Sequence, residues 1–295
     1  MPVHDELGIR MKTYYEQIPK TKLMRRTPVA IRIDGKAFHT FTKGFQKPFD
    51  EILIKSMQET MKYLCENIQG CVLGYTQSDE ITLILVDYKN VRSDAWFDYE
   101  VQKMCSIAAS MATVAFNKFF YEVLNDYRNN MSYDDEGYLK NEEYCLYTTY
   151  LKAHAKGAMF DARVFNIPKE EVTNLIYWRQ LDATRNSIQM VGQANFSHKQ
   201  LQGKSCAMIQ DMLMTEMGIN WNDFPTHQKR GSCCVKEDYF VEHEDGEQLY
   251  FPEADFDPDG DLILKGTWRT RWNIDTEIPI FKGEGREYIE KLINF

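Results

Sequence analysis

Cys71-Val72-Leu73-Gly74-Tyr75-Thr76-Gln77-Ser78-Asp79-Glu80-Ile81-Thr82-Leu83-Ile84-Leu85-Val86 decides the fold. Two apolar runs, 71–76 and 80–86, are joined by Gln77-Ser78-Asp79, too short for anything but a hairpin turn. Upstream, Pro28-Val29-Ala30-Ile31-Arg32-Ile33-Asp34 reads as a buried strand that Gly35 ends. Asp50 is placed to cap a helix over 51–68, with Ile52, Leu53, Met57, Met61 and Leu64 near helical spacing. Downstream, a long helix is expected over 96–126, then an acidic, Tyr-rich loop or insertion around Gly137. Residues 158–167 make a fourth strand, and Pro168 with Lys169-Glu170-Glu171 opens a helix to about residue 190.

Strand, helix, hairpin, helix, strand is a split βαβ sheet of the ferredoxin-like kind, the plan of many polymerase palms. The expected class is α+β, a palm with extra helices and a small β-rich C-terminal segment. Residues 191–235 read as helical and irregular. Residues 236–290 read as acidic and β-rich, with Asp257-Pro258-Asp259-Gly260-Asp261 as a turn between two strands. Two domains are expected, a catalytic palm over 1–235 and an acidic extension over 236–295.

In such a sheet the first strand lies beside the hairpin, so Asp34 and Asp79 meet at one edge. Two close carboxylates repel unless a cation neutralises them. Magnesium takes oxygen ligands, one or two carboxylates plus substrate phosphates. The pair suits two-metal phosphoryl transfer, with the Gly35 backbone as a further oxygen ligand. On the residues alone other readings stand beside this one: Asp34-Gly35 as a turn signal, Ser78-Asp79-Glu80 as a solvated hairpin tip.

Composition bounds the partners. The net charge of −9 argues weakly against nucleic acid, but local clusters decide phosphate contacts. Those clusters are Lys20, Lys22, Arg25 and Arg26; Lys229-Arg230; and Arg269 with Arg271, each equally readable as solvated surface. No run of 18 uncharged apolar residues is present, so no membrane span is expected. The seven scattered cysteines form no C-x-x-C pair, which points to reduced thiols in a cytoplasm.

At these residues the chain resembles the tRNA-His guanylyltransferase (Thg1) family. Residues 32–39 resemble its R-(L/I/V)-D-G-x-x-F-H, 75–80 its Y-x-Q-S-D-E, and 47–50 its K-P-(N/F)-D. Phe160-Asp161-Ala162-Arg163-Val164 resembles F-D-(A/G)-R-V, Trp178-Arg179-Gln180-Leu181-Asp182 matches W-R-Q-x-D, and Lys229-Arg230-Gly231 resembles a late (R/K)-(K/R)-G. The resemblance implies a palm working in the 3′-to-5′ sense. An NTP activates a 5′-phosphorylated RNA end, and the 3′-hydroxyl of the next NTP attacks it. It implies two Mg²⁺ on Asp34, Gly35 and Asp79; ATP and GTP or other NTPs as substrates; tRNA as partner; and a homotetramer built as a dimer of dimers. Catalytic roles fall to Asp34, Asp79, Glu80 and Lys103. Nucleotide contacts fall to Gly35, Lys36, Ala37, Phe38, His39, Lys47, Asp50 and Ser78.

Read as residues, Glu80 is equally an outward strand position, His39 a structural histidine, and Asp50 a helix cap first. Arg163 and Arg179 are either phosphate ligands or members of structural ion pairs, and Trp178 reads as core. Family members of eukaryotes continue W-R-Q-x-D with C-H-I-N-N-L-Y-N. Here Thr184 replaces the histidine, Met190 the last asparagine, and Asn186 alone is kept. That departure resembles the Thg1-like, template-directed repair proteins of bacteria, archaea and viruses. A nucleotide cyclase or dinucleotide synthase on the same palm, or a non-catalytic RNA-binding module, are the alternatives.

Overall fold

The computed structural model describes residues 5–131, 141–242 and 266–294. Helices in chain order are α1 (Glu6–Met11), α2 (Phe38–Phe41), α3 (Glu51–Asn67), α4 (Val101–Asn129), α5 (Asn141–Lys156), α6 (Val172–Asn195), α7 (His198–Leu201), α8 (Cys206–Met217), α9 (Thr226–Arg230) and α10 (Glu287–Ile293). The strands are β1 (Val29–Gly35), β2 (Cys71–Gln77), β3 (Glu80–Leu85), β4 (Phe160–Asn166), β5 (Ser232–Glu242) and β6 (Gly266–Asp275). Among the described residues they form one sheet in the order β4-β1-β3-β2-β5-β6. The first four strands and α3 and α4 are the expected split βαβ palm, each neighbouring pair antiparallel.

Burial on both faces explains why β3 reads as a continuous apolar run and not as an alternation. Ile31, Ile33, Ile81 and Leu83 pack under α3 and α4, with Met57, Met61, Ala112 and Phe116. Ala30, Ile84, Leu73 and Tyr75 pack on the other face with Ile176 of α6 and Ile289 of α10. Ala108 and Ala112 on α4 are fully buried, and small side chains there let the helix lie close to the sheet.

The expected cap at Asp50 is present: its carboxylate accepts from the Leu53 amide at 2.9 Å. The long helix starts later than its apolar spacing suggests, at Val101. A 3₁₀ turn precedes it, with Phe97 and Asp98 in left-handed conformation. The segment read as a loop or insertion after that helix contains α5. Tyr150 and Ala153 of α5 are buried against the palm, so tertiary burial overrides the polar, Tyr-rich composition.

The division expected at residue 235 falls inside β5, which hydrogen-bonds to β2 and carries β6 as the sixth strand. The turn expected over 257–261 lies outside the described residues. No described helix is long and apolar enough to cross a membrane.

Candidate functional site

β1 ends where the β2–β3 hairpin turns. Asp34 is the register partner of Glu80 on β3 and of Asp161 on β4. The Gly35 amide donates to the Asp79 carbonyl at 3.1 Å, which pins the hairpin tip beside the end of β1. Ser78 takes positive φ at the tip, and its hydroxyl donates to Asp79 at 3.1 Å. Burial raises the Asp79 carboxyl above its ordinary range. The charges of Asp34 and Glu80 push the same way, against the Ser78 and backbone hydrogen bonds.

Asp34 and Asp79 are thus brought together as expected. The donor set is oxygen-only and carries excess negative charge, which fits a hard divalent cation. Among the described residues no group of three or more His, Cys, Asp or Glu converges here. An ion on this pair would therefore complete its shell from backbone and phosphate oxygens. Packing requires glycine at 35, since a Cβ there would run into the Phe38 ring.

Beside the pair opens a cleft of about 780 Å³, a size that accepts a nucleotide. Gly35, Ala37, Phe38, His39, Lys47, Asp50, Ser78 and Asp79 all line it. Their roles differ. Lys47 and His39 are exposed at the lip. Ala37 adopts φ 54° in the turn after β1. Phe38 is 5% exposed and packs on Phe41, Phe116 and Phe160, so its ring belongs to the core. Asp50 is consumed by structure: besides capping α3 it accepts from the Gln46 amide at 2.9 Å and the Tyr150 hydroxyl at 2.6 Å. Burial raises its carboxyl, and those donors oppose the rise.

The cleft also has walls that were not among the expected nucleotide contacts. Lys43 stands at the lip with Lys47. Ala183, Asn186, Ser187 and Met190 of α6 form the far wall, with Gln228 and Gly231 beyond. The signal for α6 was present in the spacing, since 183, 186–187, 190 and 193 share one helical face. The stretch that departs from the eukaryotic pattern is this wall.

Glu80 and Lys103 do not face the cleft. Glu80 is 4% exposed, and its oxygens accept from Arg179 at 2.6 and 2.8 Å and from Arg32 at 2.6 Å. Arg179 continues to Asp182 at 2.9 Å, so it is held in a buried ion-pair chain. Lys103 sits in the first turn of α4 over the Phe97 ring at 4.5 Å. That turn adjoins Thr21–Leu23, before β1 begins, whereas Asp34 lies at the strand's other end. Five residue steps of strand put roughly 17 Å between the two ends. Lys36 is exposed, its amide donating to the Met159 carbonyl at 2.8 Å.

The basic clusters are largely spoken for. Arg25 pairs with Asp87 at 2.7 Å and Asp98 at 3.1 Å, and Lys22 with Asp98, which fastens the segment before β1. Arg26 donates to the Asp87 and Asn90 carbonyls. Lys229 is buried, donating to the Asn222 carbonyl at 2.5 Å over the Trp221 ring; burial first, then Arg230, lowers its pKa. Gly231 has φ 84°, and a Cβ there would meet the Thr76 carbonyl. Arg271 pairs with Glu237, and Arg163 with Asp161 at 3.3 Å. Trp178, read as core, is 53% exposed.

The family model described as Thg1: tRNAHis guanylyltransferase matches residues 9–168. The tRNA(His) guanylyltransferase of Schizosaccharomyces pombe is 26% identical over 236 residues, 76% of this chain and 78% of that protein. A bacterial tRNA(His) guanylyltransferase (Thg1)-like protein solved in complex with ATP superposes with a TM-score of 0.72 at 39% identity, covering 98% of this chain and 100% of that one. A structure described in the same words, in complex with GTP, gives 0.70 at 36% identity, covering 99% and 100%.

Proposed function

The chain belongs to the tRNAHis guanylyltransferase (Thg1) family, and on that premise we propose how its own residues carry out nucleotide addition in the 3′-to-5′ direction. The enzyme is a nucleotidyltransferase. The RNA 5′-phosphate first displaces pyrophosphate from an NTP. The 3′-hydroxyl of the next NTP then attacks the activated phosphate and releases the nucleoside monophosphate.

The observation that carries this assignment is the pairing of Asp34 with Asp79, where Asp79 and Gly35 line a nucleotide-sized cleft. Asp34, Asp79 and the Gly35 backbone would hold Mg²⁺. When bound, the ions neutralise phosphate charge and lower the pKa of the attacking hydroxyl. Lys43, Lys47 and His39 at the lip donate to the triphosphate. The α6 wall, Ala183 to Met190, contacts the base or sugar. Glu80 positions Arg32 and Arg179 and does not ligate. Complexes of similar proteins with ATP and with GTP support a nucleoside triphosphate as the cleft's ligand.

The RNA substrate is a tRNA 5′ end. The loss of the expected histidine at Thr184, on the α6 turn beside Ala183, favours repair of truncated 5′ ends over strict addition of guanosine to tRNA-His. Free thiols at the described cysteines support a cytoplasmic setting, and the family resemblance supports a tetramer.

The test supplies Mg²⁺, ATP and all four NTPs with two 5′-monophosphorylated tRNAs. One is tRNA-His lacking its extra 5′ nucleotide; the other is a different tRNA shortened at its 5′ end. Extension of the shortened tRNA, absent in Asp34→Ala, is the expected result. Extension of tRNA-His alone, by G alone, would overturn the repair reading.

A further inference from the structure

We propose that the exposed indole of Trp178 is a stacking platform for the first base of the RNA 5′ end. The inference rests on the function above and adds the side from which RNA enters. Trp178 lies on α6, yet not on the face that lines the cleft; Leu181 and Arg185 share its side at helical spacing.

The indole is held from behind. The Arg179 guanidinium lies 4.5 Å and that of Arg32 5.7 Å from the ring centroid. Both guanidiniums donate to the same oxygen of Glu80, at 2.8 and 2.6 Å. They therefore cannot lie diametrically across the ring, and one face stays open. That face accounts for the 53% exposure of a side chain that usually seeks burial. Its clamp, Glu80, is the register partner of Asp34, so the ring is fixed relative to the reacting centre.

The ground around it suits a nucleic-acid end. β4 is the edge of the sheet, and its Asp161 is opposite Asp34. Arg163 and Arg185 stand 56% and 61% exposed nearby, each sharing a carboxylate that a phosphate can replace. The cleft on the other face of α6 takes the triphosphate, which leaves this surface to the RNA. A flat open π-face on a fixed clamp suits a base of any identity, as a repair enzyme requires.

The experiment places 2-aminopurine as the first base of the 5′-monophosphorylated, shortened tRNA. Its fluorescence is followed on titration with the full chain, Trp178→Ala and Trp178→Phe. Quenching by wild type is expected, with loss of quenching and about 5- to 150-fold weaker RNA binding in Trp178→Ala, the range for one stacked base. Trp178→Phe should recover much of both, and ATP affinity should not move in either variant. Equal quenching and RNA affinity in Trp178→Ala would overturn the platform while leaving the enzyme reading intact. A change of oligomeric state in Trp178→Ala with RNA affinity unchanged would overturn it too, assigning the ring to a protein interface. A wild-type chain that neither binds nor extends the RNA would instead overturn the functional reading beneath.

Discussion

Glu80 and Arg179 face each other as a two-point ion pair, Nε to Oε1 at 2.6 Å and a terminal nitrogen to Oε2 at 2.8 Å, both side chains nearly buried. The pair ties the hairpin tip to α6, and so fixes the spacing between Asp79, one residue before Glu80, and the α6 wall of the cleft. Arg32 joins from β1 and Asp182 from the next turn of α6. Gln180, between them, donates to the Pro279 carbonyl at 2.8 Å and accepts from the Phe281 amide at 3.0 Å. The W-R-Q-x-D motif is therefore largely a junction of hairpin, α6 and C-terminal segment.

Breaking that pair from one side should cost more than an ordinary surface change. Glu80→Ala leaves Arg32 without its carboxylate and Arg179 with Asp182 alone, and removal of one partner of a buried pair costs about 3–5 kcal/mol. Urea denaturation should show a loss of that size, and Glu80→Gln a smaller one. Unchanged stability in Glu80→Ala would contradict the assignment of Glu80 to positioning.

Gly35→Ala should damage both fold and rate. The new methyl meets a Phe38 ring already packed among Phe41, Phe116 and Phe160. Overpacking of that kind costs about 1–3 kcal/mol. Because Gly35 also holds the Asp79 carbonyl, the extension rate should fall further than the fraction folded. Thermal melting and single-turnover rates on one preparation separate the two effects.

Tyr150→Phe should give a pH-dependent loss of stability. Burial holds Asp50 above the ordinary carboxylate range, and the Tyr150 hydroxyl pulls it back. Without that donor the folded-state pKa rises further above the unfolded value of about 4. The folded chain then binds more protons than the unfolded chain between those two values, so stability falls as pH rises through that window. The deficit should be about 1.5–3 kcal/mol at neutral pH, the range for a hydrogen bond to a charge, and should shrink toward pH 4. A deficit that does not vary with pH would contradict an ionised Asp50.

Lys43→Ala and Lys47→Ala should each weaken ATP binding about tenfold, the value of one charge-assisted hydrogen bond. Both side chains are exposed, so melting should be unaffected. Calorimetric titration checks this; an unchanged ATP affinity in both variants would remove the lip from the triphosphate site.

Much of this architecture was legible in the sequence because local signals agreed with the fold. The two apolar runs about Gln77-Ser78-Asp79 became β2 and β3, and Asp50 caps α3 as its position suggested. Asp34 and Asp79 met because β1 pairs with β3 in the register the topology requires. What escaped depends on tertiary contact. α5 has weak apolar spacing and is recognised by the burial of Tyr150. Trp178 looked like core by residue type, but two arginines turn its ring outward. Lys229, readable as part of a phosphate-binding cluster or as solvated surface, is folded onto Trp221. Strands β5 and β6 looked like a separate segment, because sequence does not reveal that β2 offers them a free edge.

Asp34 and Asp79 act together in nucleotide addition at an RNA 5′ end in the function proposed above. The most direct measurement is the single-turnover rate of 5′ extension on the shortened tRNA, across a Mg²⁺ titration, for wild type, Asp34→Asn and Asp79→Asn. Each variant should lose at least about a thousandfold in rate, several kcal/mol of transition-state stabilisation, with a melting temperature no lower than wild type, because removing the Asp79 charge relieves its buried repulsion with Asp34 and Glu80. Extension at near wild-type rate in either variant would contradict it.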